Sequence, residues 1–269
     1  MVTLVTIADE IAPVVPQRSL GATGQRVSLL GLGLVKIGRN NGVKYPKDFE
    51  LPDDTQVLEL LQEAHRLGIT LLDTAPAYGN SEQRLGDALQ RLPQLKADCV
   101  ISSKVGETFV DGKSTFDFSE AAIKRSIERS LKRLNRSKLD VVLLHSSGDD
   151  ETVLTEHNPL ATLQQLQYEG AIGACGFSGK ALRGGRLALE LGAQVLMITL
   201  NEDERDELPL VQEAEDCGAG VFIKKPIASG FGNPAVLPTT ARNTGVSSLV
   251  VGSLSRAHLR ENARLLKNS

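Results

Sequence analysis

Four side chains suited to moving a proton lie at or just past the ends of three apolar runs of this sequence. Asp73 closes "ITLLD", and Tyr78 follows in "TAPAYG". Lys104 closes "CVISSK", and His145 closes "LDVVLLH". A free phenol has a pKa of about 10 and is a weak acid at neutral pH. A lysine ammonium beside it favours phenolate and lowers that value. A carboxylate such as Asp73 keeps the lysine charged and aimed. An imidazole can hydrogen-bond a carbonyl oxygen or the phenol. Together these groups make a proton donor for an oxygen that becomes an alkoxide, which suits reduction of a carbonyl by hydride. Each residue alone has a plainer reading: a capping acid, a surface tyrosine, a solvated lysine, a core histidine. Their shared position at the ends of neighbouring strands is what favours chemistry.

The elements that must position them come from two alternating patterns. Eight short apolar runs read as strands, at 29–33, 69–73, 99–104, 139–145, 172–178, 194–200, 220–225 and 247–253. They are near-continuous in apolar residues, as strands buried on both faces are. Amphipathic stretches separate them. Val57, Leu60, Leu61 and Ala64 share one helical face, and Gly68 ends that helix. Ser119 is a candidate N-cap for a helix carrying Ile123, Ile127, Leu131 and Leu134. Strands alternating with helices predict a parallel sheet, and eight of them predict a closed (β/α)8 TIM barrel of the α/β class. An open doubly wound sheet is the alternative. No linker or repeat interrupts residues 1–269, which read as a single domain.

A hairpin around the turn-prone "GATG" precedes the first strand and is expected to close the bottom of the barrel. Residues 225–245 hold Pro226, Pro234 and Pro238 and lack helical periodicity, so the seventh helix is expected to be irregular or missing. Catalytic groups of such barrels come from the C-terminal ends of strands. The loops 36–52 and 146–158, after the first and fourth strands, are expected to border the pocket.

Composition narrows the classes of function. The chain has 269 residues, 41% hydrophobic and 23% charged, with a net charge of −3. That balance gives no general attraction to nucleic acid or anionic membrane. No apolar run reaches the ~20 residues of a membrane span. The stretch 1–16 has no basic start, and Asp9 and Glu10 interrupt its apolar run, so it reads as a poor secretion signal. Three cysteines without Cys-x-x-Cys spacing argue against a disulfide scaffold and against a metal site. Cys99, Cys175 and Cys217 are expected to be buried thiols in a reducing cytoplasm. No feature sets an oligomeric state.

The motifs "DTAPAYGNSE", "ISSKVG", "LLH" and "GVSSLVVGSLSRAHLREN" resemble those of the aldo-keto reductase family, and the resemblance runs over nearly the whole chain. It implies a (β/α)8 barrel that reduces aldehydes and ketones with NADP(H). It also implies a tetrad at Asp73, Tyr78, Lys104 and His145, with Tyr78 the general acid. On the cofactor side it places Ser178 against the nicotinamide amide, where Gly179 stands for the usual asparagine. Lys224 and Lys225 stand where an aromatic commonly stacks on the nicotinamide. Ser253, Ser255 and Arg256 match the segment that grips the adenosine phosphate, at a helix start suited to anions. Glu261 and Asn262 match adenine contacts. Gly252 and His258 replace two cations common in other branches, so the preference for NADPH is expected to be modest.

Two other readings stay open on the sequence. Lys104 ends a barrel strand as the lysine of a Schiff-base aldolase does. A cofactor-binding regulatory subunit with little turnover would share the same motifs.

Overall fold

The computed structural model describes residues 15–156 and 158–269. The segment read above as a poor secretion signal therefore lies almost wholly outside the described residues, as does His157. Twelve strands are described: β1 (Gln17–Ser19), β2 (Arg26–Ser28), β3 (Leu30–Gly33), β4 (Leu71–Asp73), β5 (Val100–Val105), β6 (Glu107–Val110), β7 (Lys113–Phe116), β8 (Leu139–His145), β9 (Ile172–Ser178), β10 (Val195–Thr199), β11 (Gly220–Lys224) and β12 (Val246–Val251). Eight of them close a parallel barrel in the order β10-β11-β12-β3-β4-β5-β8-β9. The eight apolar runs are these eight strands.

The pleat sorts the side chains into two cores. Successive residues of a strand point to opposite faces. Leu71, Val141, Leu143, Ala174, Val195, Met197, Phe222 and Val250 fill the barrel interior as one buried cluster. Their neighbours, among them Leu72, Val142, Leu144, Cys175, Leu196, Ile198, Val221 and Leu249, join the larger core under the helices. β1 and β2 pair as the expected antiparallel hairpin. Leu20 and Val27, from its turn and second strand, belong to the interior cluster and close its lower end.

Helix ends follow local rules. The helix Asp54–Arg66 starts in a capping box: the Asp53 side chain accepts from the Gln56 backbone, and the Gln56 side chain accepts from the Asp53 backbone. Gly68 follows it with φ +75°. Ser119 caps the helix Glu120–Leu134, accepting from Ala122. That helix crosses Ser81–Arg91 at Gly86, where an added Cβ would come 2.1 Å from the Arg133 carbonyl oxygen. Alanine in place of a mid-helix glycine ordinarily gains up to about 1 kcal/mol. Here the overlap with backbone reverses the sign, since overpacking costs about 1–3 kcal/mol. Gly86→Ala is expected to lower the urea midpoint of unfolding, and an unchanged or higher midpoint would show that the two helices can separate freely.

One expectation is narrowed, and two features depart from the sequence reading. The segment after β11 is continuous, and it holds two short 3-10 turns and a helix Leu237–Ala241. Pro234 and Pro238 fall in the first turns of these helices, where the missing N–H has no partner to lose. The seventh helix is thus short and irregular rather than absent. β6 and β7 form a second hairpin that the apolar pattern did not reveal. Cys99 and Cys175 are buried, but Cys217, just past the helix Pro209–Asp216, is exposed.

Candidate active site

The register of the barrel sets the heights of the polar strand ends. Asp73 pairs with Ser102 on β5, so Lys104 stands two residues higher on the same face. Lys104 pairs with Leu143 on β8, which puts His145 two residues higher again. His145 pairs with Ser178 on β9. Asp73, Lys104, His145 and Ser178 therefore all point inward, on a rising path around one mouth of the barrel.

Asp73 and Lys104 form the sealed floor of this mouth, at 3% and 1% exposure. Lys104 Nζ donates to both oxygens of Asp73, at 2.7 and 2.8 Å, and to the Thr74 carbonyl at 2.9 Å. Burial works against the ammonium, but Asp73 and Tyr78 outweigh it, and the lysine pKa is raised. Lys104 Nζ sits 4.8 Å from the Tyr78 ring centre. The Tyr78 ring meets His145 edge-on, centroids 6.4 Å apart. The phenol departs from the sequence expectation in one respect. Burial pushes its pKa up, the Lys104 charge opposes this without reversing it, and Asp73 adds to the rise. Tyr78 thus holds its proton, as a general acid must until the oxygen it serves needs it.

Two residues at this mouth were not singled out from the sequence. The first is Glu107, which opens β6 directly after Gly106. Its Oε2 lies 2.7 Å from His145 Nδ1. The separation is within hydrogen-bonding distance, but the approach is bent, and Nδ1 has no better-aligned partner among the described residues. The second is Tyr45, in the loop after β3. Lys36 Nζ lies 3.8 Å over its ring, and its hydroxyl reaches toward Gly252. Burial raises the Tyr45 pKa. Lys36 itself lies in a single helical turn, Val35–Gly38, where no helix was expected.

Above the four residues is a cavity of about 680 Å3. Asp73, Tyr78, Lys104, His145, Ser178, Met197, Lys224 and Lys225 line it, as do Gly42 to Tyr45 of the loop after β3. The loop after β8 does not line it among the described residues. Asp150 ties that loop down instead, accepting from Ser146 and from the backbone of Lys180 and Ala181. The loop after β10 contributes Asp203, Glu204, Asp206 and Glu207.

The candidate cofactor residues fall in two groups. Lys224 Nζ donates to Ser178 Oγ at 3.2 Å and to the Gly179 carbonyl at 2.5 Å. Burial lowers its pKa to about 8, against the pull of Glu207. Lys225 is exposed, with φ +54°. The second group lies beyond Gly252 and outside the cavity. Ser255 caps the helix Arg256–Leu266, and Ser253 accepts from the Ser255 backbone at 3.1 Å. Arg256 is paired with Glu59 at 3.1 Å on the outer face, and Glu261 is exposed. Asn262 is 2% exposed, and its Oδ1 has no hydrogen-bond partner among the described residues. A buried carbonyl oxygen without a donor is costly. An exocyclic amine would supply one, so the residues present fit an adenine nucleotide here.

The Aldo/keto reductase family matches residues 29–235 of this sequence. The chain belongs to that family. It is 30% identical over 224 residues to an L-galactose dehydrogenase of Arabidopsis thaliana, covering 80% of this chain and 66% of that one. It is 32% identical over 169 residues to an NADH-specific methylglyoxal reductase of Escherichia coli, covering 58% and 50%. The chain thus spans two-thirds or less of the length of these curated relatives. A Pseudomonas aeruginosa structure described as a candidate aldo-keto reductase is 43% identical, with a TM-score of 0.85 over 93% of this chain and 94% of that one. Among the described residues, no helix is long and apolar enough to cross a membrane, and no group of His, Cys, Asp or Glu could hold a metal ion.

Proposed function

We propose that the protein reduces a small aldehyde or ketone to the alcohol with a nicotinamide cofactor, using Tyr78 as the proton donor. The observation that carries this reading is the stack at one cavity mouth of a sealed Asp73–Lys104 pair, a protonated phenol and an imidazole. A bound nicotinamide supplies the hydride. Tyr78 gives its proton to the carbonyl oxygen as negative charge develops there. Lys104, held by Asp73 and Thr74, stabilises the phenolate left behind. His145 holds the oxygen in place. Ser178 and Lys224 would hold the nicotinamide end, and Asn262, Ser253, Ser255 and Arg256 the adenosine end. The polar cavity rim and the names of the relatives favour a small hydroxylated carbonyl compound. The test is titration with NADPH and NADH, followed by a panel of small aldehydes, ketones and aldoses with cofactor oxidation as the readout. No turnover across the panel, with cofactor bound, would favour the regulatory-subunit reading.

The aldolase reading has little support. A Schiff base needs a neutral amine. Lys104 is held charged by Asp73 and spends its donors on Asp73 and Thr74.

The preference for NADPH over NADH turns on Arg256. To reach a phosphate it must leave Glu59, and an exposed ion pair is worth about 0–1 kcal/mol. A charge-assisted bond to the phosphate contributes about 1.5–3 kcal/mol. The balance favours NADPH by a modest margin. Glu59→Gln is expected to widen that margin several-fold in Kd, and Arg256→Ala to close it, with NADH binding unchanged in both. Equal effects on the two cofactors would remove Arg256 from phosphate recognition.

A further inference from the structure

The β6–β7 hairpin has no place in the barrel sheet, yet it carries a carboxylate to the cavity mouth. Gly106, at φ +100°, turns the chain after β5, so that Glu107 reaches His145 only three residues past Lys104. Ser114, from the returning strand β7, donates to Glu107 Oε1 at 2.5 Å and holds the carboxylate in place. Burial opposes the Glu107 charge, but His145, Ser114 and Arg39 outweigh it, and the pKa falls to about 2. An ionised carboxylate only accepts, so the hydrogen between Glu107 and His145 belongs to Nδ1. That nitrogen is sealed from solvent, which leaves Nε2 as the one open to the cavity. A neutral imidazole carries a single N–H.

We propose that Glu107 is a positioning residue that fixes the tautomer of His145, so that Nε2 accepts a hydrogen bond when the ring is neutral and donates one only when it is charged. The tautomer stands on the contacts alone, and its consequence for catalysis rests on the carbonyl-reductase reading. A neutral ring offers Nε2 to the O–H of an alcohol. A charged ring offers Nε2–H to the oxygen of a carbonyl. Reduction is then strongest on the acid side and weakens as His145 loses its proton, while oxidation of the alcohol gains. Among the described residues, the groups that face the ring are Glu107 from β6, Lys104 from β5, Lys224 from β11 and Tyr78 from the loop after β4. Burial and the two lysines disfavour the imidazolium, and Glu107 favours it.

Glu107→Gln tests this, since it removes the charge and keeps the size. The first readout is nitrogen NMR of the histidine rings across a pH titration, with His145 assigned from the signal lost in His145→Asn. Neutral His145 is expected to carry its hydrogen on Nδ1 in the wild type. Its titration midpoint is expected to fall by about one pH unit or more in Glu107→Gln, as loss of an opposite charge within hydrogen-bonding reach requires. Glu107→Asp, which withdraws the charge by one methylene, should give a smaller fall and serves if the glutamine variant does not fold. A wild-type ring protonated on Nε2, or a midpoint that stays or rises, overturns the proposal. The second readout is the pH profile of kcat/KM for reduction, whose alkaline limb should move with the NMR midpoint. A limb that stays while the midpoint moves overturns the catalytic consequence. If the NMR result holds and no carbonyl is reduced, the reductase reading is what has failed.

Discussion

Tyr78→Phe is expected to cut turnover by about 10²–10⁴-fold, the usual contribution of a positioned general acid. The ring stays, its edge-on contact with His145 stays, and only the hydroxyl is lost. The cost should appear in kcat, with cofactor affinity nearly unchanged, because the hydroxyl acts on charge that develops only in the transition state. Lys104→Met removes the partner that stabilises the phenolate, and it should also cripple turnover. Combining it with Tyr78→Phe should cost far less than the product of the two losses, since the pair acts as one unit. A Tyr78→Phe variant that keeps most of its turnover on a substrate found in the panel would remove Tyr78 from the chemistry.

The second large effect is on stability. Asp73→Ala leaves the Lys104 ammonium 1% exposed, with only the neutral Thr74 carbonyl and Tyr78 beside it. Breaking a buried ion pair from one side costs about 3–5 kcal/mol. The urea midpoint should fall sharply with the slope unchanged. Replacing both members, as Asp73→Leu with Lys104→Met, removes the unpaired charge and should recover much of that loss, since apolar groups of similar volume often substitute for a buried pair. Turnover should not recover with it. The double variant separates the two roles of the pair, and a double variant that folds and still turns over would assign it to stability alone.

Much of this arrangement is legible in the residue string. Eight apolar runs give eight strands, because strands buried on both faces cannot carry the alternation that would hide them among loops. The period of two then puts Asp73, Lys104 and His145 on one face, although their rising heights depend on a pairing register that no single strand encodes. Glu107 was missed for a different reason. β7 is exposed and β6 only partly buried, so they carry no apolar run, and the hairpin is marked by its turn instead. Asp111 and Gly112 take φ +51° and +78°, the Asp-Gly turn that favours such hairpins. That dipeptide was the available signal. The loop 146–158 was expected at the pocket because it follows a barrel strand, but Asp150 turns inward to cap backbone groups of the next loop. Arg256 illustrates the remaining gap. Its place at a helix start is legible, while its ion pair with Glu59 joins residues nearly two hundred positions apart.

Hydride transfer from the cofactor to a carbonyl carbon, at the mouth lined by Tyr78, Lys104 and His145, is the step on which the proposed function rests. Its most direct measurement follows a deuterium label from the nicotinamide ring into the product by mass spectrometry, with the wild-type enzyme, the reducing cofactor deuterated on its reactive face and a substrate from the panel in unlabelled water. The expected product is an alcohol with the label on the former carbonyl carbon, formed more slowly than from the unlabelled cofactor. A product formed without the label, or a label that appears only when the solvent carries deuterium, would contradict it.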